Sequence, residues 1–188
     1  RTRRGCGVLF DTEPIRSAVF SECRTWRYIW QRQTKVQNER VCNFLMLNPS
    51  TADEKQDDPT TQRCVSFAEA AGCGWLHVTN LFAFRATEPA DMKAAADPVG
   101  PENDERIREV AYAADVVVAA WGADGAHLGR ADHVLTSVLA EPAKLILALR
   151  LTNGGQPWHP LYLPGDLMPS PFYMGGRKVW LADEPPAA

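Results

Sequence analysis

The chain has 188 residues, of which 45% are hydrophobic and 23% charged, and its formal net charge is -3. That length and balance predict one globular domain with a substantial core. The acidic balance argues against a protein that coats DNA through non-specific charge, and no apolar run approaches the roughly 18 residues of a membrane span. Five cysteines form no CxxC pair, and four scattered histidines lack zinc-ligand spacing. An odd cysteine count without a signal peptide predicts a reduced, cytoplasmic setting, with no metal and no membrane partner.

Trp26, Tyr28 and Trp30 alternate with Arg27 and Ile29. This period of two predicts a strand with one aromatic face, paired with residues 17–23 as an N-terminal β-hairpin. Residues 34–40 are polar and predict a turn, and residues 41–47 a buried strand. Cys64, Val65, Phe67, Ala68 and Ala71 form a helical stripe over residues 60–71, with Gly72 placed to stop it. Trp75 to Leu81 reads as a second buried strand. Residues 89–113 read as helical, with a break at Asp97-Pro98-Val99-Gly100-Pro101. Asp115 to Ala120 is a third apolar strand closed by Trp121-Gly122. Residues 130–140 predict another helix, and Lys144 to Leu149 a fourth strand.

Strands alternating with helices predict an α/β fold, a three-layer sandwich with a mostly parallel four-stranded central sheet plus the N-terminal β-hairpin. Residues 1–163 are expected to form one domain, and residues 164–188, rich in proline and glycine, a C-terminal tail on the surface.

Parallel strands share one carboxyl-terminal edge, and ligands bind in the crevice outside it. The first strand delivers Asn48, Pro49, Ser50, Thr51 and Asp53 to that edge, and the second Thr79, Asn80, Phe82 and Arg85. The third delivers Trp121, Gly122 and Asp124, and the fourth Thr152, Asn153, Gly154, Gly155, Trp158 and His159. Amides, a histidine, an arginine and aromatic rings on one rim suit an uncharged, flat, hydrogen-bonding ligand such as a nucleobase. Blander roles stay open: a turn at Asn48-Pro49, a loop bond for Asn80, a helix start at Asp57-Asp58-Pro59-Thr60. Asp53, Asp57 and Asp58 could gather a magnesium ion, but a solvated acidic turn is commoner.

Several segments resemble an uncharacterised bacterial and phage domain family over roughly residues 17–163. They are Leu47-Asn48-Pro49-Ser50-Thr51-Ala52-Asp53, Asp57-Asp58-Pro59-Thr60, Asn80-Leu81-Phe82-Ala83, Arg85-Ala86-Thr87, Asp97-Pro98-Val99-Gly100, Asn103-Asp104, Ala120-Trp121-Gly122 and His159-Pro160-Leu161-Tyr162-Leu163. More distantly, the order of motifs resembles the uracil-DNA glycosylase superfamily. Met46-Leu47-Asn48-Pro49-Ser50 is similar to the Gly-Ile-Asn-Pro-Gly of its mismatch-specific branch. Thr79-Asn80-Leu81, Ala119-Ala120-Trp121-Gly122 and His159-Pro160-Leu161 are similar to later motifs in the same order. The chain departs at Met46 and Ser50, which replace glycines, and at Leu161, which replaces a serine. No aromatic residue follows Asn48 closely. The cysteine spacing does not reproduce the iron–sulfur set of some branches, and no cofactor is expected.

The resemblance implies hydrolysis of the N-glycosidic bond of a modified or damaged pyrimidine in DNA or a nucleotide. Asn48 would orient water and His159 would stabilise the departing base as the catalytic pair. Pro49, Ser50, Asn80, Phe82, Arg85, Trp121 and Trp158 would bind substrate, with Arg63, Arg177 and Lys178 as further phosphate contacts. An amide at position 48 activates water weakly, so a non-catalytic domain that binds a modified base or nucleotide is the alternative. A partner-binding domain with a vestigial site is the third reading.

Overall fold

The computed structural model of the chain describes residues 14–50, 58–140 and 144–179. Its strands are β1 (Arg16–Phe20), β2 (Arg27–Gln33), β3 (Val41–Met46), β4 (Trp75–Asn80), β5 (Val116–Ala119), β6 (Ile146–Ala148), β7 (Ser170–Met174) and β8 (Arg177–Lys178). They form one sheet in the order β1-β2-β4-β3-β5-β6-β7-β8. The pairings of β3 with β4, β3 with β5 and β5 with β6 are parallel. The four outer pairings are antiparallel.

This architecture corrects the expected fold class. The sheet is not a four-stranded, mostly parallel one at the centre of a three-layer sandwich; among the described residues it has eight strands and mixed direction. Local composition predicted the hairpin on one flank but not its place in the sheet, and it hid the strands of the other flank. Alternation in β2 predicts one buried face, yet Arg27, Tyr28, Ile29 and Trp30 are all buried. The reason is that Tyr28 and Ile29 pack with Ala83 and Val110 while Trp30 packs with Phe44, Leu76 and Val78, so the strand is covered on both faces; its pairing with β1 and β4 makes the expected hairpin part of the sheet. On the opposite flank, the stretch after Pro164 supplies β7 and β8 instead of a surface tail, and it buries Phe172 and Tyr173. Pro171 cannot donate to a ladder, and it sits where the register between β6 and β7 shifts.

Among the described residues, four α-helices flank the sheet. Helix α1 (Pro59–Ala70) starts where the Asp58 carboxylate accepts the Thr61 N–H at 2.7 Å, with proline at the first helical position. It ends at Gly72, whose φ of +69° lets the Cys73 N–H return to the Ala68 carbonyl at 2.9 Å. Its apolar stripe, Cys64, Val65, Phe67 and Ala68, packs with Phe44, Leu76, Val78 and Val118. Helix α2 (Pro89–Ala94) is short and buries Met92. Helix α3 (Asn103–Ala113) joins a second apolar cluster, with Ile107 and Ala111 among Leu45, Val117 and Ala119. Helix α4 (Arg130–His133) adds Ala131 to that cluster and runs into a π turn over Val134–Val138. Fully buried side chains such as Phe44, Leu45 and Leu76 each stabilise the fold by roughly 1.5–3 kcal/mol through removal from water.

The four described cysteines, Cys23, Cys42, Cys64 and Cys73, are free thiols. Among the described residues no helix is long and apolar enough to cross a membrane.

Candidate functional site

Three exit loops meet at the carboxyl ends of β3, β4 and β5. The β3 loop leads to α1, which belongs to one apolar cluster, while the β4 and β5 loops lead to helices of the other. Loops that diverge in this way leave a crevice between them. A cleft of about 600 Å³ opens there. Sheet register levels its walls: Met46 lies opposite Asn80, and Leu45 opposite Ala119. Past the strand ends the pairing continues, with the Leu81 N–H on the Met46 carbonyl at 2.8 Å and the Phe82 N–H on the Leu47 carbonyl at 2.9 Å.

Six of the nine residues nominated from sequence line this cleft: Asn48, Ser50, Asn80, Trp121, Trp158 and His159. Asn48 donates from Nδ2 to the carbonyls of Ala86 at 2.8 Å and Pro49 at 3.2 Å. Two carbonyl acceptors on one side fix which end of the amide is nitrogen. Its Oδ1 has no partner among the described residues and is the acceptor left for the cleft.

Asn80 is only 3% exposed, yet its side-chain amide has no hydrogen-bond partner among the described residues. Its polar atoms are left to the cleft, where a ligand's donor and acceptor can take the place of water.

His159 is half-buried, and its Nδ1 accepts the Leu161 N–H at 3.4 Å. Burial pushes its pKa below the ordinary histidine value, while the Asp58 charge pulls weakly upward. A neutral imidazole that accepts at Nδ1 carries its proton on Nε2, which makes it a donor. Trp121 is 1% exposed, with Nε1 donating to Gln156 Oε1 at 2.7 Å and Phe172 edge-on at 6.0 Å. Trp158 stands at the mouth with part of its ring exposed. Gly122 joins the Trp121 wall to the histidine loop. Its φ is +74°, and its N–H donates to the Pro157 carbonyl at 2.8 Å.

Pro49, Phe82 and Arg85 are not on the wall. The Pro49 carbonyl ties the two exit loops together by accepting the Ala86 N–H at 3.0 Å. Phe82 is fully buried in the core and tilted against His127. Arg85 donates to the Arg24 carbonyl at 3.2 Å and lies over the Phe20 ring. Thr51, Asp53 and Asp57 lie outside the described residues. Asp58 caps α1 and accepts from Ser50 Oγ at 3.5 Å.

Sequence reading missed several wall residues. Arg27 is buried within β2 and reaches the cleft, which only the pairing of β2 with β4 explains. Glu88 lies on the rim at the start of α2, and its carboxylate has no partner among the described residues. Leu161 and Tyr162 complete the mouth beside Trp158.

Behind the wall, Asn103 Nδ2 donates to the carbonyls of Asn80 and Leu81 at 3.0 Å each. Arg130 Nε donates to the same Leu81 carbonyl at 2.7 Å and pairs with Asp104, which also meets His133 Nε2 at 2.9 Å. Burial raises the Asp104 pKa, but the hydrogen bonds from Arg130 and His133 outweigh it and hold the carboxyl below its ordinary value.

No curated protein and no solved structure matches the chain. A family model described as "Protein of unknown function (DUF1643)" matches residues 27–161, which contain β2 through β6 and every wall residue except Tyr162. The chain belongs to the DUF1643 family.

Proposed function

We propose that the cleft binds a nucleobase and hydrolyses the N-glycosidic bond to its sugar, with a modified or damaged pyrimidine as the base. The observation that carries this reading is the convergence of the Asn80 amide, Asn48 Oδ1 and His159 Nε2 on one cleft that Trp121 and Trp158 also line. A planar ring with an adjacent N–H and carbonyl satisfies the Asn80 amide, and an indole face stacks on it. The resemblance to the uracil-DNA glycosylase superfamily points the same way.

In the proposed reaction the bond between C1′ and the base nitrogen breaks, and its electron pair stays on the base. The sugar becomes oxocarbenium-like, and the oxygen of water bonds to C1′. One water proton goes to the Glu88 carboxylate and then to the base, so the products are free base and reducing sugar. His159 Nε2–H donates to a base carbonyl as negative charge develops there, and Asn48 Oδ1 accepts from the attacking water. The test is release of free base from uracil and altered pyrimidine glycosides, with sugar product followed by reducing-end assay. Turnover lost in Asn48→Ala and His159→Ala supports the reading; no release from a broad panel overturns it.

A second reading, non-catalytic recognition of a modified base or nucleotide, is favoured by one feature. Position 48 is an amide, the Asp58 carboxylate is engaged in capping α1, and Glu88, the remaining carboxylate acceptor, stands exposed on the rim, so none is a buried strong base. Ligand-induced thermal shifts with bases, without turnover, distinguish it.

A further inference from the structure

The charge of the cleft restricts what the base can be attached to. Among the described residues that line it, Arg27 is the sole lysine or arginine, and that side chain is 6% exposed at the inner wall. Three carboxylates line it as well: Asp58, Glu88 and Asp124. Asp124 is neutralised by Lys93 at 2.6 Å, and Asp58 is held by the start of α1. Glu88 is exposed on the rim, and its carboxylate has no partner among the described residues.

The arginines and lysine nominated for phosphate are elsewhere. Arg63 is tied to the Leu163 carbonyl, Arg85 stacks over Phe20, and Arg177 and Lys178 form β8 at the far edge of the sheet. Sites that track a nucleic-acid strand combine stacking rings with a positively charged groove, because phosphate contacts dominate affinity. Here the rings are present at the mouth as Trp158 and Tyr162, and among the described residues the rim carries the Glu88 carboxylate and no positive groove.

We infer that the ligand of this cleft is an unphosphorylated nucleoside or free base, and that Glu88 at the rim selects against phosphate. This rests on the nucleobase reading of the same site. An ionised carboxylate repels a phosphate monoester and leaves an uncharged nucleoside unaffected. Repulsion weakens as salt rises, so the affinity of a phosphorylated ligand increases with salt; a phosphate-binding site shows the reverse.

The experiment is calorimetric titration of the whole chain with pyrimidine bases, their nucleosides, the matching 5′-monophosphates and a short single-stranded DNA, each at low and high salt. The nucleoside is expected to bind at least tenfold more tightly than its monophosphate at low salt. That gap narrows at high salt, and it narrows at low salt in Glu88→Gln. Monophosphate or DNA binding as tight as nucleoside, with affinity falling as salt rises, overturns the inference and leaves the base pocket standing. A tenfold gap that Glu88→Gln leaves unchanged removes the role of Glu88 as selector. Absence of binding by every base and nucleoside overturns the pocket reading itself, and the inference with it.

Discussion

Asn80 shows how a single residue separates ligand recognition from folding. Its amide lines the cleft and makes no hydrogen bond among the described residues, so removing it deletes no internal bond. Asn80→Ala is expected to change unfolding free energy by less than about 1 kcal/mol and to weaken base binding roughly 10- to 100-fold. Paired urea unfolding and calorimetry measure both; a large stability loss with unchanged affinity would make the residue structural.

The histidines give a pH prediction of definite sign. Burial lowers the pKa of both His77 and His159. Below about pH 6.5 the unfolded chain therefore holds more protons at these sites than the folded one. Their contribution is complete above that value and is lost as pH falls through the lowered folded values. Asp104, also lowered, contributes above its ordinary range and loses that contribution only in stronger acid. A thermal scan from pH 8 to pH 5 should show Tm falling below about pH 6.5, with a shallower fall in His159→Gln. A Tm flat across that range contradicts the assignment.

At the scale of elements, the site depends on how α3 and α4 hold the end of β4. Asn103 is fully buried and reaches two carbonyls there, while Arg130 secures one of them again. Asn103→Ala leaves the Asn80 carbonyl without its side-chain donor and should cost about 1–3 kcal/mol in stability. Base affinity should fall as well, because the Asn80 backbone is no longer clamped. Unfolding and binding measured on the same variant check this, and base affinity equal to the native chain refutes the clamp. The Asn103-Asp104 pair was legible as a motif, but its partners were not, since they lie 22 to 29 residues away in the chain. In contrast, the start of α1 is readable directly, because the cap, the proline and the apolar stripe lie within one short segment.

At the scale of the whole molecule, the last strands connect stability to the cleft. Phe172 on β7 is 1% exposed and meets the Trp121 indole edge-on. Phe172→Ala should destabilise the chain by about 3–5 kcal/mol, and truncation before β7 should prevent stable folding. Urea unfolding of the point variant and circular dichroism of the truncated chain test the pair; a truncated chain that unfolds cooperatively like the native one would show β7 to be dispensable. The sequence by itself determined the apolar strands β3, β4 and β5, the helices between them, and the polar residues at their ends. Those features follow from periodicity, capping and turn chemistry, which act over a few residues. Only the tertiary structure decided that β2 is buried on both faces, that β7 and β8 extend the sheet, and that Phe82 and Arg85 turn away from the cleft while Arg27 and Glu88 enter it. Strand order and register arise from pairings between distant segments, and no local pattern records which partner a segment will find.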